Sequence, residues 1–142
     1  MKAIDKTSTK ILHHLISLTD NDKHLKLDNA SPSFMAFNLE CIWEGKAGIQ
    51  WALSHYYLHH SGDMIPDPDM VVLQVNDEFF PIQYQDMYRF DEAVTWKDGE
   101  IESVDEAMQS SLAEFVNMWL RNIVEQQRVE IEGVDLKEES EG

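Results

Sequence analysis

Cysteine is nearly absent from this chain: Cys41 is the only one among 142 residues. A lone cysteine cannot close an internal disulfide, so the fold has to rest on its core. Cys41 lies in a hydrophobic, strand-like stretch and reads as a buried small side chain. Long apolar runs are also missing, so no membrane-spanning segment is predicted. The opening residues, MKAIDKTSTK, lack an apolar signal core, and a cytoplasmic protein is expected. No glycine-rich phosphate loop is present, because Gly45 and Gly48 fit neither a P-loop nor a dinucleotide fingerprint. No serine stands in a nucleophile elbow, and no paired cysteines mark a zinc site.

Cations are the scarcest class relative to their counterparts. Eleven Lys and Arg face 27 Asp and Glu, for a net charge of -16. The imbalance is localised. Residues 1–60 are neutral, residues 61–106 carry a net -11, residues 107–128 are neutral and residues 129–142 carry a net -5. Such a field repels nucleic acid and anionic lipid and attracts basic partners; its plainer use is solubility. Direct nucleic-acid binding is therefore not expected: Trp51, Tyr56 and Tyr57 could stack bases, but no cations cluster beside them.

The chain is about one domain in length. With 43% hydrophobic residues it can bury a core. Residues 7–19 are predicted to be a helix capped by Asp5 or Thr7, with Ile11, Leu12, Leu15, Ile16 and Leu18 on its apolar stripe. Residues 20–32 read as a loop. Residues 34–43 alternate as a strand with Met35, Phe37, Leu39, Cys41 and Trp43 on one side. Glu44-Gly45-Lys46 turns into a second strand, residues 48–60. Residues 62–68 connect to a third strand, 70–75, with both faces partly covered. A turn at residues 76–78 leads to a fourth, 79–85, with Pro81 at an edge or bulge. Lys97-Asp98-Gly99 suggests a short hairpin. Ser103 is read as the N-cap of a long amphipathic helix ending near Gln127. The expected fold is α+β: a four- or five-stranded, mainly antiparallel sheet carries both helices on one face. The domain is expected over residues 1–128, with an acidic, disordered tail over 129–142.

The stretch His55 to Met70 concentrates the candidate chemistry. His55, Tyr56 and Tyr57 precede a turn at Gly62, and Asp63, Asp67 and Asp69 follow. Together with Asp77 and Glu78 these are the candidate binding residues. Arrayed along one edge with Asp86, Asp91 and Glu92, the acids could imitate a row of phosphates. The alternative is a small hydrolase, either metal-dependent on His55, His59 and Asp63 or using His55 with Asp63 as an acid–base pair. Asp side chains near Gly and Pro also bond backbone amides routinely, which is the plainer role for Asp63. No cofactor is expected. A homodimer through an exposed strand edge is a further expectation.

The pattern His55-Tyr56-Tyr57, Gly62-Asp63, Asp67-Pro68-Asp69-Met70 and Gln83-Tyr84-Gln85-Asp86 resembles a family of small bacterial proteins of unknown function. That family is carried mainly by plasmids, phages and conjugative elements. Its later step is Gln-Gln-Asp-like, where this chain has Tyr84-Gln85-Asp86. The resemblance spans roughly residues 50–95 and brings no activity or catalytic residue. It implies an accessory protein of a mobile element that acts through protein contacts, and the acidity makes a basic partner the expected one.

Overall fold

The computed structural model describes residues 1–28, 35–58 and 60–134. The chain runs α1 (Lys6–Ser17), β1 (His24–Leu27), β2 (Phe37–Gly45), β3 (Gly48–Leu58), β4 (Met64–Val75), β5 (Glu78–Gln85), β6 (Phe90–Glu92), β7 (Val94–Lys97), β8 (Glu100–Val104) and α2 (Glu106–Gln126). Strands β1 to β6 form one antiparallel sheet in sequence order, a six-stranded meander. Strands β7 and β8 form a separate two-stranded ribbon. The α+β class is as expected, but the strands outnumber the expected four or five.

The two helices pack on one face of the meander. Ile11, Leu12 and Leu15 of α1 and Leu112, Val116, Trp119, Leu120 and Ile123 of α2 join Phe37, Leu39, Trp51, Leu53, Met70, Val72 and Phe79 in a single core. The opposite face carries a second, smaller cluster. There Val71, Leu73 and Ile82 meet Val94, with Val75, Trp96, Ile101 and Val104 packed around them. β4 is therefore covered on both sides, which explains its unbroken run Met70-Val71-Val72-Leu73. A strand buried on both faces has no polar side to alternate with.

Local chemistry accounts for most element ends. Asp5 caps α1, its Oδ1 accepting from the Ser8 amide at 2.8 Å. The β7–β8 turn places Asp98 and Gly99 at φ 54° and 80°, the left-handed values that a two-residue hairpin loop needs. Gly48 has φ 136°, and a Cβ there would meet the Gln74 carbonyl at 2.1 Å, so close approach of β4 requires glycine. Pro81 sits at a bulge, where Val71 pairs with Gln83 and Val72 with Pro81.

Five expectations need correction. Residues 24–27, expected as loop, are the edge strand β1, too short for periodicity to reveal and defined by pairing with β2. β4 starts at Met64, so the expected 62–68 connection is mostly strand. Trp43 does not share the core face: an extra residue, Ile42, bulges between the Cys41–Trp51 and Trp43–Gln50 pairs, and Trp43 is left 58% exposed. Cys41 is half-buried rather than enclosed. Asp105, not Ser103, caps α2, accepting from the Met108 amide at 3.1 Å, while Ser103 pairs with Thr95 in the ribbon. Beyond α2, Val129, Ile131 and Val134 lie half-buried against the core. The remainder of the expected tail, 135–142, falls outside the described residues.

Candidate functional site

The register between β3 and β4 breaks at the stretch that stands out in the sequence. Ser54 pairs with Asp69, but the next pair is Tyr56 with Pro66, so His55 on one strand faces Asp67 and Pro68 on the other. The Asp67–Pro68 peptide is cis. Strand alternation then sends His55 toward the helices and Ser54 and Tyr56 to the opposite face.

On the helix side, His55 is 7% exposed. Its ring stands edge-on to Phe37, with centroids 5.9 Å apart, and to Trp119, at 5.4 Å. Its Nε2 has no hydrogen-bond partner among the described residues. Burial holds the imidazole below its usual pKa, and the Asp67 carboxylate opposes that shift in part. An aromatic row continues from Trp119 to Phe115 at 5.8 Å and from Phe115 to Tyr84 at 5.6 Å.

The row ends at a polar cluster near the sheet edge. Tyr84 Oη donates to Asp86 Oδ2 at 2.6 Å, and Asp86 Oδ1 accepts from the Tyr88 and Arg89 amides at 2.8 Å each. Arg89 lies over the Tyr84 ring, 4.6 Å from its centre, and its Nε reaches Asp91 Oδ2 at 2.7 Å. Burial, then the neighbouring Asp86, pushes the Tyr84 phenol up to about 12. The Tyr84 hydroxyl, followed by the Tyr88 and Arg89 amides, holds the Asp86 carboxyl below its usual range. Beside the cluster opens a concavity of about 550 Å³, lined by Tyr84, Arg89, Asp91, Met108, Ser111, Leu112 and Phe115.

On the other face, Tyr56 Oη donates to Asp69 Oδ2 in a short hydrogen bond. Burial pushes Tyr56 up to about 12, with Asp69 adding to the shift. Burial raises the Asp69 carboxyl, and the charge of Glu40 raises it further.

The remaining candidate residues disperse. Asp63 is exposed in the turn before β4 and accepts from Ser61 Oγ at 3.2 Å. Asp67 is exposed. Asp77 and Glu78 belong to the β4–β5 turn at the far end of the 12-residue β4. At a rise of about 3.3 Å per residue, that is roughly 40 Å away. The acids therefore form two groups rather than one array. His59 lies outside the described residues, as does the side chain of Tyr57. Among the described residues no three His, Cys, Asp or Glu are placed to hold a metal ion. His55 faces the aromatic row while Asp63 sits in an exposed turn. From sequence, Tyr84 and Asp86 stand out only as part of the Gln83–Asp86 motif and Asp86 and Asp91 only as acids of an array; their meeting with Arg89 in one cluster is not predicted. The density of aromatic and charged residues in YQDMYRFDE is the signal that marks it.

The fold and site define a small α+β protein: an antiparallel meander with two helices on one face, a ribbon on the other and a polar, acid-rich rim at the β3–β6 end. No helix among the described residues is long and apolar enough to cross a membrane. Residues 6–129 match the family described as a domain of unknown function, DUF6908, and the chain belongs to that family. Neither comparison with curated proteins nor comparison with solved structures gives a match.

Proposed function

We propose that this protein is a non-enzymatic, acidic interaction protein of a mobile genetic element, binding a basic protein partner and covering that partner's nucleic-acid-binding site. One observation carries the reading. Among the described residues, none of Asp63, Asp67, Asp69, Asp77 and Glu78 takes part in an ion pair, although ion pairs occur elsewhere on the surface. Unpaired carboxylates leave their field available to a partner. The mobile-element context rests on the sequence resemblance. The hydrolase alternative has less support, because His55 and Asp63 occupy different surroundings.

Affinity capture from the native host, with the protein as bait and a salt gradient for elution, tests the proposal. A basic, nucleic-acid-binding protein should elute with salt and be displaced by duplex DNA. The bait Asp63→Asn/Asp67→Asn/Asp69→Asn should retain much less of it. Equal retention by both baits at every salt concentration would refute the reading.

A further inference from the structure

We infer that the free edge of β6, together with the concavity beside it, docks an extended segment of a partner protein with the pattern basic–apolar–basic. The inference rests on the reading of a basic partner but assigns contact to a surface distinct from Asp63, Asp67 and Asp69.

The main-chain geometry comes first. Among the described residues β6 has one sheet neighbour, β5. The Asp86 amide donates to the Arg89 carbonyl at 2.9 Å, and the Ala93 amide to the Ile82 carbonyl at 2.8 Å. Hydrogen-bonded pairs alternate along an antiparallel ladder. Tyr84 and Asp91 are thus the bonded pair between these two, and the amides and carbonyls of Phe90 and Glu92 turn to the open edge. A strand laid there would find two donors and two acceptors, as in β-strand addition.

Side-chain directions then set the pattern. Asp91 lines the concavity on the helix side, while Phe90 and Glu92 point to the opposite face. An incoming residue opposite Asp91 would therefore aim at the concavity, where Met108, Leu112 and Phe115 supply an apolar surface. Its two neighbours would stand beside Phe90, which is 55% exposed, and Glu92. A cation suits both places, over the Phe90 ring and against the Glu92 carboxylate.

Charge decides the occupant. Residues 86–92 carry Asp86, Asp91 and Glu92 against Arg89 alone, and Arg89 is already bonded to Asp91. A second copy of this chain pairing edge to edge would set acid against acid, which is destabilising. A basic segment from another protein meets no such penalty.

Selection of a random-peptide display library against the full-length protein tests this. The enriched peptides should carry an aliphatic or aromatic residue between two Lys or Arg. Glu92→Pro removes an edge amide without touching the β5–β6 ladder, and Ser111→Trp fills the concavity from its exposed rim. Each should weaken the selected peptides roughly tenfold, while Glu92→Gln should weaken them less. Enriched peptides that are merely basic and respond only to Asp63→Asn/Asp67→Asn/Asp69→Asn would overturn this inference and leave the acidic reading standing. Peptides that respond to Glu92→Pro, Ser111→Trp and salt but not to Asp63→Asn/Asp67→Asn/Asp69→Asn would support edge docking and sink the assignment of the basic partner to those three acids, whereas peptides indifferent to salt and to Glu92→Gln would overturn the inference. No enrichment, or a wild-type dimer abolished by Glu92→Pro, would overturn the inference.

Discussion

The imidazole of His55 stands edge-on to the indole of Trp119, ring centroids 5.4 Å apart and planes at 88°. This contact joins the break in the β3–β4 register to the long helix, and it links the stretch conspicuous in the sequence to the centre of the core.

Trp119 touches Phe37, His55 and Phe115 and is 6% exposed. Trp119→Ala should destabilise the protein by about 3–5 kcal/mol in urea denaturation, through lost burial and the cavity left behind. A loss under about 1 kcal/mol would mean that α2 faces solvent or a partner instead.

His55 should make stability depend on pH near neutrality. Its folded-state pKa is depressed, chiefly by burial. Above about pH 6.5 both folded and unfolded forms are neutral and its full contribution is present. As pH falls below that value the unfolded chain takes up a proton that the folded state resists, and stability declines until the folded pKa is reached. Urea midpoints across this range should fall with pH in the wild type and flatten in His55→Phe. An NMR titration of the ring should give a midpoint below the usual value.

Asp69 has the opposite sign of linkage. Its carboxyl is raised in the folded state by burial and by Glu40, so the folded form gains relative stability as pH falls toward the unfolded value of about 3.9. Asp69→Asn keeps an acceptor for the Tyr56 hydroxyl and sheds the charge. It should therefore be at least as stable as the wild type at pH 7, with the difference shrinking in acid. A variant clearly less stable at pH 7 would show that the charged hydrogen bond from Tyr56 outweighs desolvation.

Asp5 ties α1 to α2. One carboxylate oxygen caps α1 through the Ser8 amide, and the other lies 3.0 Å from Arg121 Nη2. Asp5→Ala should cost about 0.5–2 kcal/mol by loss of the cap alone. The double-mutant cycle with Arg121→Ala should show coupling of the two sites. Additive effects would reduce the ion pair to a bystander.

Much of the fold was legible in residues that signal locally. The helical stripes of α1 and α2, the alternation of Phe37 and Leu39, the Asp98-Gly99 turn and the bulge at Pro81 all follow from neighbours in sequence. The charge asymmetry was legible too, since composition alone sets it. The candidate site was legible only in part: Tyr56 and Asp69 do meet, but no local pattern joins Tyr84 with Phe115 or separates Asp63 from Asp77.

The sequence by itself determined an α+β chain with two amphipathic helices, an acidic middle and a conspicuous His-Tyr-Asp stretch, because periodicity, turn chemistry and net charge are short-range or additive properties. Tertiary structure decided the rest. Pairing made a strand of residues 24–27, a single bulged residue turned Trp43 outward, and burial against Trp119 took His55 out of water. Gln109 is the clearest case. Nothing local marks it as a core residue, yet it is fully buried because its amide bonds the main chain of Lys2 and the Pro81 carbonyl. Such outcomes depend on which distant groups arrive beside a residue, and a buried polar group is tolerated only when those partners are in place.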